Sequence, residues 1–107
     1  MMLIRSLIVA AFVSAVAAPA IAAGDLKKGE ALLTRDCSRC HAVGATGNSP
    51  RADAPAFRTL ATRYPIESLE EALGEGIMSG HPDMPEFKYE ADDVGAIIDY
   101  LKSIQPR

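Results

Sequence analysis

The sequence lacks the strict alternation of apolar and polar residues that marks β-strands, and it has no run of β-branched residues. Its apolar residues recur instead at helical spacing. It also lacks clusters of basic residues, since 11 Lys and Arg are spread among 14 Asp and Glu, and it has no internal repeat or low-complexity tract. These absences exclude a sheet-based fold and argue against nucleic acid binding. They predict an all-α fold.

The first 23 residues differ from the rest of the chain. Arg5 is their only charge, an apolar run follows at residues 7–18, and in 18–23 small residues fall at the −3 and −1 positions of several possible cleavage sites. This is the layout of a secretory signal peptide, and we expect cleavage after Ala22, with Ala23 nearly as suitable. The expected organisation is a signal peptide at 1–22 and one domain at 23–107. An uncleaved membrane anchor is the alternative, although Pro19 and the alanine-rich composition favour cleavage.

Without residues 1–22 the chain keeps 10 basic against 14 acidic residues, a net charge of −4. A partner attracted to it electrostatically would carry a basic docking surface. A domain of this size has a marginal core unless a disulfide, a metal or a cofactor adds to it.

Helical spacing predicts three principal helices. The first covers residues 25–33 and continues to the cysteines, the second opens at Ser68 with a capping-box pattern, and the third covers 90–104. Residues 42–56 are rich in Gly, Pro, Asn and Asp and predict a loop, whereas 57–63 predict a short helix ended by Pro65.

The stretch RDCSRCHAVG, residues 35–44, contains the only two cysteines of the chain, Cys37 and Cys40, and His41 follows them directly. A thioredoxin-type dithiol would follow a strand, and none is expected here. A zinc site would need four ligands, with His81 as the fourth, and adjacent ligands at 40 and 41 strain its tetrahedral geometry. The C-x-x-C-H spacing specifies attachment of a c-type haem, in which two thiols on one helical turn bond the porphyrin and the histidine reaches the iron. Haem is favoured, and the other two interpretations stay open.

Together with the later stretches "GHPDMPEF" and "IIDYLKSI", the haem motif makes residues 24–104 resemble a small, class I, monohaem bacterial cytochrome c. The resemblance implies a cytochrome c fold of about four helices around one haem c, bound covalently through Cys37 and Cys40. It implies axial ligation by His41 and a methionine. It further implies an electron carrier of the bacterial periplasm with redox partner proteins and no catalytic residue.

Met84 is the expected sixth ligand of the iron. It lies between Asp83 and Pro85 in a stiff loop, a poor place for a core side chain, and its thioether is a soft ligand that raises the potential. Met78 continues the apolar face of the second helix and is expected to be a core residue. His81 is the alternative ligand and would give a bis-His haem of lower potential.

Pro55 is expected to accept a hydrogen bond from the ring of His41 through its backbone carbonyl, as the loop proline does in this family. A simple turn proline is the alternative. Gly29 lies inside the first helix, where glycine is costly, so we expect a close crossing with Tyr100 or Ile97 of the last helix to compensate.

Eight apolar side chains are expected to surround the haem: Phe57, Leu60, Leu69, Leu73, Ile77, Phe87, Ile98 and Leu101. Arg51, Arg58 and Tyr64 are candidates for the propionates, with a solvated surface role as the equal alternative. Two other functions remain open, namely a haem sensor with an open sixth position and the cytochrome module of a larger oxidoreductase complex. No Ser-His-Asp arrangement or converging pair of carboxylates suggests an enzyme.

Overall fold

The computed structural model describes residues 8–16, 23–76 and 82–107. Within these ranges the chain forms no strand, so the predicted all-α fold is confirmed. The elements, in chain order, are α1 (Ala23–Cys37), two 3-10 helices (Phe57–Thr62 and Ile66–Ser68), α2 (Leu69–Glu75) and α3 (Ala91–Ile104).

Helices α1 and α3 pack directly against each other at Gly29. Gly29 is buried, and a Cβ built on it would collide with the carbonyl oxygen of Ala96 and lie 2.8 Å from the Cβ of Tyr100. The close crossing expected from the sequence is therefore present, with Ala96 and Tyr100 rather than Ile97 as the contacts. Glycine is required here because no side chain fits between the two backbones.

The apolar face of α3 supplies much of the core. Ile97 is fully buried, Ile98 and Leu101 are 3 % exposed, and Val94 is 8 % exposed, as the helical spacing predicts. The hydroxyl of Tyr100 donates a 2.6 Å hydrogen bond to the Val43 carbonyl and so ties α3 to the loop after α1.

The end of α3 also holds the first 3-10 helix in place. The Nε2 atom of Gln105 donates 2.8 Å hydrogen bonds to the Phe57 and Leu101 carbonyls. Its Oε1 atom accepts a 2.9 Å bond from the Ala61 amide. One side chain thus satisfies backbone groups of both elements, which fixes the segment that carries Phe57.

The capping box predicted at Ser68 is wrong. Ser68 has helical dihedrals (φ −65°, ψ −13°), and its hydroxyl donates to the Pro65 carbonyl at 2.7 Å instead of capping α2. The reason is that the helical turn already begins after the extended residue Pro65, so Ser68 lies inside the turn. At its other end α2 stops at Gly76, whose φ of +119° suits glycine alone.

Residues 8–16 have no regular secondary structure, and Ile8, Phe12 and Val16 are at least 90 % exposed. None of the helices in the described part of the chain has the length and apolar character to cross a bilayer. Helix α1 begins at Ala23, next to the predicted domain boundary.

Gly29→Ala should destabilise the protein by about 2 kcal/mol or more, because the added methyl group must push α1 away from α3. Gly95→Ala is the matched control. Gly95 is exposed within α3, and its Cβ would meet no atom within 4 Å, so the alanine should stabilise the helix by about 0.5–1 kcal/mol. Urea unfolding of the haem-loaded protein measures both values. Equal effects of the two substitutions would contradict the close crossing.

Candidate functional site

Helix α1 delivers the two cysteines to the site and ends there. The amides of Cys40 and His41 both donate to the Cys37 carbonyl, at 3.2 and 2.9 Å, which closes a tight turn over the motif. Both thiols are free, half-buried and part of the lining of one cavity. The chain thus presents two unpaired sulfurs three residues apart beside the same space.

His41 is oriented by two neighbours. Its Nδ1 atom lies 2.8 Å from the Pro55 carbonyl oxygen, and its ring stacks on Phe57 with 4.7 Å between ring centroids. Because a carbonyl oxygen can only accept, Nδ1 donates the proton of this bond, and Nε2 is the ring nitrogen that remains available as a ligand. The contact between Pro55 and His41 is the one expected from the sequence.

Hydrogen bonds hold the loop around His41 in shape. The Phe57 amide donates to the Ala42 carbonyl at 3.0 Å, and the Ala42 amide donates to the hydroxyl of Ser49 at 3.0 Å. These two bonds fix Phe57, on which the ring stacks, and Ala42, the next residue in the chain. The loop itself therefore contributes to the orientation of His41.

The cavity beside this motif has a volume of about 750 Å³, within the range of cofactor sites. Its walls are mainly apolar, as a flat and largely apolar macrocycle requires, and two thiols and an imidazole face it. These residues fit a haem c. The leucine, isoleucine and phenylalanine residues of the lining are Leu33, Phe57, Leu60, Leu69, Leu73, Phe87, Ile97 and Leu101.

Six of the eight expected wall residues are in this lining, and Ile98 is not. Ile98 is buried in the core but does not line the cavity, because α3 turns its neighbour Ile97 toward it. The expectation for Ile98 was therefore wrong. Ile77 lies outside the described residues.

Met84 also lines the cavity and is half-buried. The other two candidates for the sixth ligand, Met78 and His81, lie outside the described residues. Met84 is thus the described methionine that shares a cavity with His41.

The thiol of Cys37 does not resemble that of a redox-active dithiol. Burial, with a further contribution from the nearby Asp36 carboxylate, raises its pKa to about 11. Reactive cysteines in C-x-x-C motifs have the opposite property, a lowered pKa that supplies thiolate at neutral pH. The described residues also contain no cluster of three or more His, Cys, Asp or Glu side chains able to hold a metal ion, so the zinc interpretation gains no support.

Sequence reasoning missed a buried polar group beside the motif. The hydroxyl of Tyr89 donates a 2.8 Å hydrogen bond to Asp36, and the guanidinium of Arg35 forms two 2.8 Å bonds to the same carboxylate. Hydrogen bonding to Arg35 holds the pKa of Asp36 below its usual range, and burial raises the pKa of Tyr89 above its usual range. Asp36 and Tyr89 are 53 positions apart, and no local pattern links them.

The three propionate candidates have different surroundings. Arg51 lines the cavity and bonds to Asp53 at 2.7 Å and Asp83 at 3.0 Å. Arg58 donates to the Gly47 carbonyl at 2.6 Å and does not line this cavity. Tyr64 lines the cavity and is 37 % exposed. Arg51 and Arg58 are thus already engaged with groups of the protein itself.

Comparison with known proteins agrees with this geometry. The sequence model of the family described as Cytochrome c matches residues 26–105. A cytochrome c-552 from Bradyrhizobium diazoefficiens is 33 % identical over 84 residues, which cover 78 % of this chain and 79 % of the relative. No solved structure matches the chain significantly.

Proposed function

The chain belongs to the cytochrome c family, and from this premise we propose that it is an exported electron carrier whose haem iron is bound by His41 and Met84. It is a haem protein of electron transfer, with haem c bound covalently through Cys37 and Cys40. When bound, haem c supplies a one-electron couple. Three statements are proposals: which residues are the axial ligands, that the chain is exported, and what kind of partner it has.

One observation carries the proposal. The ring of His41 bonds through Nδ1 to the Pro55 carbonyl and keeps Nε2 free, in a cavity that Met84 also lines. A carbonyl partner fixes the tautomer and orientation of a ligating histidine and raises its basicity. Pro55 is accordingly a positioning residue for the ligand.

Ligation by a thioether suits a carrier. A soft sulfur ligand favours the reduced iron, and six ligands in both oxidation states leave little to rearrange when an electron moves. The apolar walls around His41 and Met84 exclude water, which keeps the site dry. These features favour electron transfer over binding of a small ligand.

Export is supported by the signal-like sequence of residues 1–22. The hydrophobic core is built from residues later in the chain, and the large apolar side chains described before Ala23 are exposed. The folded domain therefore needs nothing from the described part of the leader. Cleavage after Ala22 and transfer to the periplasm follow as the proposed route.

A redox partner with a basic docking surface is proposed on the distribution of charge. Glu70, Glu71 and Glu75 are exposed on α2, the helix whose other face lines the cavity, and they form no ion pair among the described residues. Arg39 and Arg63 line the cavity, also without an ion-pair partner there. The glutamates of α2 would therefore attract a basic partner, whereas the two arginines would repel it.

Met84→Ala should remove the weak long-wavelength sulfur-to-iron band of the ferric protein, lower the reduction potential and open the ferrous iron to carbon monoxide. The physical reason is the loss of the sulfur ligand. Optical spectra and a redox titration measure these changes. Met78→Ala is the matched control and should keep the band, as should His81→Ala. If the wild-type ferrous protein binds carbon monoxide readily at neutral pH, an open-site sensor replaces the carrier.

The mass of the purified, exported protein should equal that of residues 23–107 plus one haem, because the leader is removed and the thioethers are permanent. Mass spectrometry of the periplasmic fraction measures it. A mass that retains residues 1–22, with the protein found in the membrane, would indicate an anchor instead.

Changing Glu70, Glu71 and Glu75 together to Gln should slow electron transfer to a basic model partner, by about tenfold or less at low salt, because three carboxylates that steer the encounter are lost. Stopped-flow rates at increasing salt measure this, and the difference should shrink as the Debye length falls to about 8 Å at physiological ionic strength.

The control removes positive charges, at two arginines that line the cavity, instead of the negative charges of α2. Arg39→Gln with Arg63→Gln should accelerate transfer to the same partner. Electron-transfer rates that change neither with salt concentration nor with either set of substitutions would contradict electrostatic docking and point to an apolar contact surface.

A further inference from the structure

Met84 lies in a stretch without helix or strand, residues 82–90, which we call the methionine segment. Among the described residues, two backbone bonds join it to other elements, and both follow Met84: the Tyr89 amide donates to the Leu73 carbonyl at 2.9 Å, and the Glu90 carbonyl accepts from the Val94 amide of α3 at 2.9 Å. A segment without its own hydrogen-bond ladder is positioned by its contacts with other elements. Phe87 packs against the core, and two polar side-chain contacts, one on each side of Met84, add to this packing.

The first contact precedes Met84 directly. Asp83 accepts a 3.0 Å bond from Nη1 of Arg51, and Nε of Arg51 donates to Asp53 at 2.7 Å, so one guanidinium joins two carboxylates. The backbone amide of Arg51 donates to the Cys40 carbonyl at 3.1 Å. Asp83 is thereby connected through a single residue to the second cysteine of the haem motif.

The second contact follows Met84 by five positions. Tyr89 is 8 % exposed, and its hydroxyl donates to the Asp36 carboxylate at 2.8 Å. The side chain of Asp36 is only 13 % exposed and is held in place by Arg35. Asp36 immediately precedes Cys37, so this contact leads to the first cysteine of the motif.

We propose that Arg51 and Tyr89 are positioning residues that hold Met84 in place from both sides and fix it relative to the haem motif itself. The proposal rests on Met84 being the sixth ligand. Both contacts end beside the cysteines that bind the porphyrin, so the same part of the chain positions both the methionine segment and the macrocycle. Neither residue touches the iron.

The two contacts differ in strength. The bond of Tyr89 to a charged and partly buried acceptor belongs to the stronger class of hydrogen bonds. The pair of Arg51 and Asp83 is exposed, with 43 % and 69 % of the side chains accessible, and exposed pairs contribute little and are screened by salt. Tyr89 is therefore the main contact, and Arg51 is the minor, salt-sensitive one.

The test is the competition between Met84 and added imidazole for the ferric iron. Imidazole binds only molecules whose methionine has left, so its apparent affinity reports the fraction of open sites. Tyr89→Phe removes only the hydroxyl and should raise that affinity about tenfold. Titration followed through the sulfur-to-iron band measures it.

Tyr100→Phe is the matched control for stability. Tyr100 is equally buried, at 7 % exposed, and its hydroxyl donates to the Val43 carbonyl, away from the methionine segment. Both variants should lose unfolding stability in urea, but only Tyr89→Phe should bind imidazole more tightly. Equal imidazole affinities for the two variants would overturn the assignment of Tyr89.

The exposed contact is tested by a double-mutant cycle with Arg51→Gln and Asp83→Asn. Each substitution should raise imidazole affinity about two- to fivefold at low salt, the double variant should add little to either, and the effect should fade at high salt. Asp83→Asn is the cleaner change because it leaves the bond of Arg51 to Asp53 intact.

The pair of Lys102 and Glu67 is the matched control for this cycle. Its atoms are 2.7 Å apart, and its exposure of 43 % and 57 % is similar, but it lies between α3 and the second 3-10 helix. Lys102→Gln should leave imidazole affinity unchanged. If Asp83→Asn behaves like Lys102→Gln, Arg51 is not a positioning residue.

The outcomes separate this proposal from the one on which it rests. A wild-type protein without the sulfur band would overturn ligation by Met84 and the two contacts together. A wild type with the band, whose Tyr89→Phe and Asp83→Asn variants bind imidazole as it does, would overturn the two contacts alone.

Discussion

At Gly29 the backbone of α1 lies directly against the Ala96 carbonyl and the Tyr100 side chain of α3, and the position of the haem motif follows from this contact. An α-helix is a rigid rod with a rise of about 1.5 Å per residue, so fixing it at position 29 also fixes its end at Cys37, about 12 Å further on. The same crossing turns Ile97 toward the cavity. One glycine thus sets both the attachment point and a wall of the site.

The chain holds its two proposed iron ligands in different ways. His41 follows the helix at once and is fixed by neighbours within the same loop, Pro55 through a hydrogen bond and Phe57 through ring stacking. Met84 lies in a segment without regular structure and depends on side chains that are distant in sequence. The histidine side of the site is therefore fixed by local contacts, whereas the proposed contacts of the methionine side include an exposed pair, Arg51 and Asp83, that can be changed without altering the core.

Much of the fold and the centre of the site could be predicted because they depend on local spacing. The periodicity of α3, the C-x-x-C-H motif and the unusual glycine at position 29 are each visible within one short stretch. The resemblance to a family supplied Pro55, which spacing alone does not single out from Pro50. Contacts of polar side chains with groups distant in the sequence were missed, because nothing in the sequence distinguishes a polar residue with such a partner from one that only meets solvent. These are Asp36 with Tyr89, Arg51 with Asp83, and Gln105 with Phe57 and Ala61.

The bonds of Gln105 have a consequence for the order in which the domain is completed. They join Gln105 to backbone groups 44 and 48 positions earlier, so they close large loops and form only when α3 has packed against the first 3-10 helix. The element they fix carries Phe57, on which the ring of His41 rests. The surroundings of the histidine are therefore completed only when the segment that follows α3 has joined the first 3-10 helix, whereas the haem motif itself depends on local bonds within residues 37–41.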